Sequence, residues 1–192
     1  ANDCNLQRDE RFFVITGANG GGKTTYARMI GQILYFAKMG LLVPCENAGV
    51  PNYTTILSHF SNDESEMSGK GKLVEELTRL KPMMQEKWSG SFVILNELFT
   101  TAATWDAGIM GQKVLDYFMS HDCYGIYVTH IQSLAKERDG LVSLVAELAD
   151  DHHTRSFKIT RKPASEAEYE DSLITKYNMT ENQMKAVIGH ED

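Results

Sequence analysis

The chain has 192 residues, 42% of them hydrophobic, and a formal net charge of −7. That is enough apolar material for one substantial core, and with no run of about 18 apolar residues and no basic-then-apolar start, neither a spanning helix nor secretion is expected. No cluster of Lys and Arg is longer than a pair, which excludes a chain that grips phosphodiester backbones by its own charge.

Cys4, Cys45 and Cys123 are odd in number and never form a CxxC pair, so neither a disulfide framework nor a zinc site is expected, and a reduced, cytoplasmic setting fits. The chain opens on Ala1 and reaches its first strand pattern at Arg11, which suggests a segment of a longer polypeptide.

Residues 11–17, RFFVITG, are β-branched and aromatic and stop at glycine, as a buried strand does. Residues 24–39 follow as a helix, with Ala27, Ile30, Leu34 and Ala37 on one face, Met29, Ile33 and Phe36 on a second, and Gly40 as the stop, so this helix is expected to be largely buried. LLVPC at 41–45 reads as a short strand ended by Pro44. Residues 70–87 read as a helix with Leu73, Leu77 and Leu80 on one face, kinked or shortened at Pro82. SFVILNEL is a near-continuous apolar run, the pattern of a strand covered on both faces. Residues 103–120 are helical, YGIYVTH is another buried strand, and 142–148 and 156–160 pair as an antiparallel edge. Two short helices with capping-box starts, Ser165-x-x-Glu168 and Thr180-x-x-Gln183, close the chain. Strands alternating with helices predict an α/β domain: a central, mostly parallel sheet flanked by helices, with an antiparallel edge and a short C-terminal helical tail. Residues 1–162 form the main domain and 163–192 a tail belonging to the same unit.

Between the first strand and the first helix, Gly17-Ala18-Asn19-Gly20-Gly21-Gly22-Lys23-Thr24 matches G-x-x-x-x-G-K-[ST], a phosphate-binding loop in the context that such a loop requires. Glycines let successive amides converge on a triphosphate, and the helix adds the positive end of its dipole. Gly17, Asn19, Gly20, Gly21, Gly22, Lys23, Thr24 and Thr25 are therefore expected to hold a nucleoside triphosphate. Lys23 bridges the β and γ phosphates, and the Thr24 hydroxyl ligates Mg²⁺. FVILNE places Asn96 and Glu97 at the tip of a buried strand. The first polar residue supports the Mg²⁺ shell, and Glu97, as catalytic base, orients or deprotonates the attacking water. His130 ends the next strand and is the candidate sensor of the γ phosphate. Asp150-Asp151-His152-His153 could suggest a metal but reads as a solvated hairpin turn.

These features in this order resemble the ABC superfamily of P-loop ATPases, and several stretches narrow the resemblance to the C-terminal ATPase domain of the MutS mismatch-repair family. TGANGGGKTTYARMIG is similar to that family's TGPNMGGKST loop and helix. AKMGLLVPCENAGV resembles G-x-F-V-P-A-x-x-A, and FSNDESEMSGKGKLVEEL the S-x-x-D-x-x-x-x-x-S-T-F-x-x-E-M region. FVILNELFTTAATWDAG resembles L-x-x-x-D-E-x-x-R-G-T-x-x-x-D-G, and YVTHIQSLA the F-x-T-H-x-x-x-L stretch. The resemblance covers about residues 1–162 and implies that Asn19, Gly22, Lys23, Thr24, Glu97 and His130 form one half of a nucleotide site. A second copy or a MutS-like partner domain completes that site in trans, and Ser68 faces the partner's γ phosphate. It further implies DNA contact through domains upstream of this segment, no membrane, and a nucleoid association of the full-length protein. The family's metal-supporting Asp is Asn96 here, and its Arg-Gly turn is replaced around Thr100 and Thr101. Two other readings share the phosphate loop. One is a nucleotide-gated dimerisation switch with little turnover. The other is a small-molecule kinase, which needs a lid with arginines near the γ phosphate, and only Arg138, Arg155 and Arg161 lie in the relevant half.

Overall fold

In a computed structural model, residues 2–7, 9–60, 71–85, 88–149 and 155–164 are described. Among the described residues ten elements follow in order: β1 (Phe12–Gly17), α1 (Lys23–Lys38), β2 (Ile56–Phe60), α2 (Lys72–Gln85), β3 (Phe92–Asn96), α3 (Thr104–Ser120), β4 (Tyr124–Val128), a 3-10 turn (Gln132–Ala135), β5 (Leu141–Leu148) and β6 (Arg155–Arg161). The six strands make one sheet in the order β2-β3-β4-β1-β5-β6. Every adjacent pair is parallel except β5 and β6, which run antiparallel at the edge as expected. The closing helices, Ser68, and the Asp150–His153 cluster lie outside the described residues.

Strand pleating divides the apolar residues between the two faces. Phe12 and Val14 of β1 join Val93 and Leu95 of β3, Tyr127 of β4, Leu80 of α2, and Val114, Leu115 and Phe118 of α3. Phe13 and Ile15 point the other way, to Ile94, Ile126 and Val128 and to Tyr26, Ala27, Ile30 and Leu34 of α1. The sheet is thus a middle layer, with α1 on one face and α2 and α3 on the other.

Two expectations are corrected. Residues 41–45 form no strand. Leu42 is 97% exposed, and the Cys45 N–H turns back onto the Val43 carbonyl at 2.9 Å, a γ-turn that breaks extension. The edge strand is β2, whose register runs from Ile56 opposite Phe92 to Phe60 opposite Asn96. Secondly, α1 buries Ala27, Ile30 and Leu34 but not the whole second face, since Phe36 is 36% exposed. Helix α2 carries Leu80 buried and Leu77 42% exposed, and Pro82 lies inside it, ahead of its end at Gln85.

Candidate functional site

Parallel strands deliver their carboxyl ends to one edge of the sheet, and the loop following β1 and the turn following β3 meet there although β4 lies between them. Gly17 begins the loop with φ 109°, and a Cβ there would lie 2.6 Å from the Ala146 carbonyl oxygen of β5. Both facts demand glycine. Gly22, at φ 90°, is the N-cap of α1 and supplies no side-chain cap, so the first-turn amides keep their donors for something else.

Lys23 is buried, and its ammonium is folded into the loop. It donates to the carbonyls of Gly17 at 2.7 Å and Ala18 at 3.0 Å, and to Asn19 Oδ1 at 3.5 Å. Burial lowers its pKa, the negative charge of Glu97 opposes that shift, and Arg155 adds to it. A cavity of about 610 Å³ opens over the loop, walled by Asn19, Gly20, Gly22, Lys23, Thr24, Thr25 and Glu97, and by Asn2, Tyr26, Met29 and Phe157.

Of the expected residues, Asn19, Gly20, Gly22, Lys23, Thr24, Thr25 and Glu97 are brought together around this cavity. Gly17 and Gly21 shape the loop beneath it. Asn96 is 5% exposed, and its Oδ1 is buried with no hydrogen-bond partner among the described residues. His130 stands apart. The Thr129 N–H bonds the Ile15 carbonyl at 3.0 Å and the Thr129 Oγ1 accepts from the Ile131 N–H at 3.0 Å. That turn leaves His130 at the correct sheet edge but exposed and outside the cavity wall.

Sequence reasoning missed Asn2 and Phe157. The Asn2 side chain donates to the Phe157 carbonyl at 2.9 Å and accepts from the Ile159 N–H at 2.9 Å, tying the N-terminal segment to β6 at the rim. No local pattern could reveal a bond between residues 155 positions apart.

The donor set suits a magnesium triphosphate. Cationic Lys23, the free amides of the α1 start and the Thr24 hydroxyl address an anion and its cation, and the unpartnered Asn96 Oδ1 can accept from metal-bound water. Among the described residues no cluster of three or more His, Cys, Asp or Glu side chains could hold a metal by itself. No helix among them is long and apolar enough to cross a membrane.

The sequence profile of MutS domain V matches residues 13–186. The DNA mismatch repair protein msh-2 of Neurospora crassa is 29% identical over 140 residues, 72% of this chain and 15% of that protein. The DNA mismatch repair protein MutS of Orientia tsutsugamushi (strain Boryong) is 30% identical over 145 residues, 75% of this chain and 16% of its own length. That of Exiguobacterium sp. is 28% identical over 193 residues, 92% of this chain and 23% of its own length. The chain therefore spans less than a quarter of these relatives.

Proposed function

Because this chain belongs to the MutS family, as its domain V, we propose that it binds ATP with Mg²⁺ in the cavity over Gly17–Thr24, hydrolyses it, and couples dimer closure to DNA clamping by other domains of a mismatch-repair or DNA-structure-processing protein. The observation that carries this reading is the convergence of Lys23, Thr24 and Glu97 on one cavity wall.

The work of the site is positioning and charge stabilisation. Amides at the α1 start and the Lys23 ammonium would hold the β and γ phosphates, exchanging the loop carbonyls for phosphate oxygens. The Thr24 hydroxyl and, through water, Asn96 Oδ1 would hold Mg²⁺, whose charge offsets that developing on the transferred phosphoryl group. Glu97 would accept a hydrogen bond from the attacking water and take its proton as the Pγ–O bond to the leaving diphosphate breaks. His130 reaches the γ phosphate only if its exposed side chain turns toward the cavity. Ser68 of a partner copy would complete the other side.

Two variants test the assignment. Lys23→Ala is expected to weaken binding of a fluorescent ATP analogue by at least about 100-fold, the loss of a charge-assisted contact to phosphate. Glu97→Gln is expected to keep that affinity while phosphate release falls at least about 100-fold. Normal hydrolysis by the glutamine variant would overturn the role given to Glu97.

Asn96 favours a second reading, a nucleotide-gated switch with little turnover, since a neutral amide adds no charge to the cation shell. Rapid steady-state phosphate release by the unaltered protein would rule it out.

A further inference from the structure

The turn that carries Glu97 is under backbone strain. Glu97 and Phe99 are both non-glycine residues in the left-handed region, with φ of 52° and 63°, and Leu98 and Phe99 are each 1% exposed. Such conformations persist only where surrounding contacts over-determine them. Three hydrogen bonds do so here. The Glu97 N–H donates to the Val128 carbonyl of β4 at 2.8 Å, and the Ala102 N–H donates to the Phe99 carbonyl at 3.0 Å. The third is the one that ends on a side chain: the Phe99 N–H donates to Glu76 Oε2 of α2 at 3.0 Å.

Glu76 is an unusual choice for that task. It is half-buried on α2, the helix whose Leu73, Leu80 and Met83 pack into the core, and its second oxygen, Oε1, is buried with no partner among the described residues. Burial raises its pKa, which the Phe99 N–H and Arg79 only partly offset. A carboxylate kept in so poor a solvent, serving one backbone amide, is placed for geometry and not for local stability.

We propose that Glu76 is a positioning residue for the hydrolysis reaction: by holding the Phe99 amide it locks the turn after β3 in the strained form that directs Glu97 into the nucleotide cavity. The inference rests on the reading of Glu97 as base, but its structural half stands without it. Helix α2 thereby becomes a rigid arm whose displacement would move the catalytic carboxylate, and a shift of about 1 Å there is enough to cost two orders of magnitude in rate.

Hydrogen exchange at the Phe99 amide of the nucleotide-free chain tests the lock. Wild type and Glu76→Gln, which keeps an acceptor oxygen, are expected to protect that amide. Glu76→Ala is expected to exchange it about tenfold faster or more, with β1 amides unchanged. In steady-state assays Glu76→Ala should lower kcat about 10- to 100-fold and leave nucleotide affinity within about twofold, whereas Glu76→Gln should retain at least about half of kcat. If alanine prevents folding, Glu76→Asp, one methylene short, replaces it and should behave in the same way. Unchanged Phe99 protection in the alanine or aspartate variant overturns the lock, as does loss of protection in the glutamine variant. Protection lost while kcat stays at the wild-type value overturns the positioning role. If wild type hydrolyses nothing, the ATPase reading fails, and the exchange data alone still decide whether Glu76 holds the turn.

Discussion

Asn96 closes β3 with a neutral amide at a place where the resemblance expects a carboxylate, and its buried oxygen has no partner among the described residues. Its neighbour Glu97 needed no tertiary information to be found, because four apolar residues followed by two polar ones already mark a strand tip. Opposite Asn96 in the sheet lies the end of β2, where His59 is only 2% exposed. Burial depresses the pKa of His59 below the ordinary 6.5, Arg79 adds to the shift, and a backbone group of Glu76 opposes it. In the unfolded chain this histidine takes up a proton as pH falls through about 6.5, whereas in the fold it does so only at lower pH, so through that window the unfolded state binds more protons and stability declines with acidification. The slope from this one group is at most about 1.4 kcal/mol per pH unit. Urea unfolding at pH 7.5 and pH 5.5 should show that loss, and His59→Leu should flatten it. An unaltered pH slope in the leucine variant would remove His59 as the cause.

At the scale of elements, the start and stop signals of α1 were legible because they are local. Gly22 caps its beginning, and at its end Gly40 takes φ 72° while the Gly40 N–H bonds Ala37 and the Leu41 N–H bonds Phe36, at 3.0 and 2.9 Å, the Schellman pattern. A Cβ at Gly40 would meet no atom within 4 Å. Gly40→Ala therefore isolates the backbone cost, and it is expected to destabilise the fold by about 1 kcal/mol, with nucleotide affinity unchanged, as read by thermal unfolding and analogue titration. With no atom near that position, a much larger loss would overturn backbone conformation as the cause. The strand assigned to LLVPC failed for a reason equally physical. Apolar content alone does not make a strand, and only the pairing of β2 with β3 decided that Ile56–Phe60 holds the sheet edge. The extent of burial on α1 is likewise smaller than its pattern predicts, since periodicity says which residues share a face but not how far the sheet reaches beneath it.

For the whole molecule, parallel order brings the β1 loop and the β3 turn to one edge, and the net charge of −7 acts against pairing of two copies. Nucleotide with its cation is expected to overcome that repulsion by completing the site between two copies. Sedimentation of Glu97→Gln with Mg²⁺ and ATP should thus move from 21.6 kDa to twice that mass, more readily as salt screens the like charges. A species that stays monomeric at every salt and nucleotide concentration would sink the trans-completed site for this segment. The sequence by itself determined what depends on neighbours within a few residues: the glycine-rich turn before a helix, the covered strands, the lysine and the glutamate of the site, and the antiparallel edge. Only the tertiary structure decided what depends on contacts across the chain: the order of the strands, the rim tie from Asn2 to β6, the exposed setting of His130, and the bond from Glu76 to Phe99. Backbone propensity and pleating are written locally, whereas which surfaces meet is set by burying both faces of one sheet at once, and no short stretch carries that constraint.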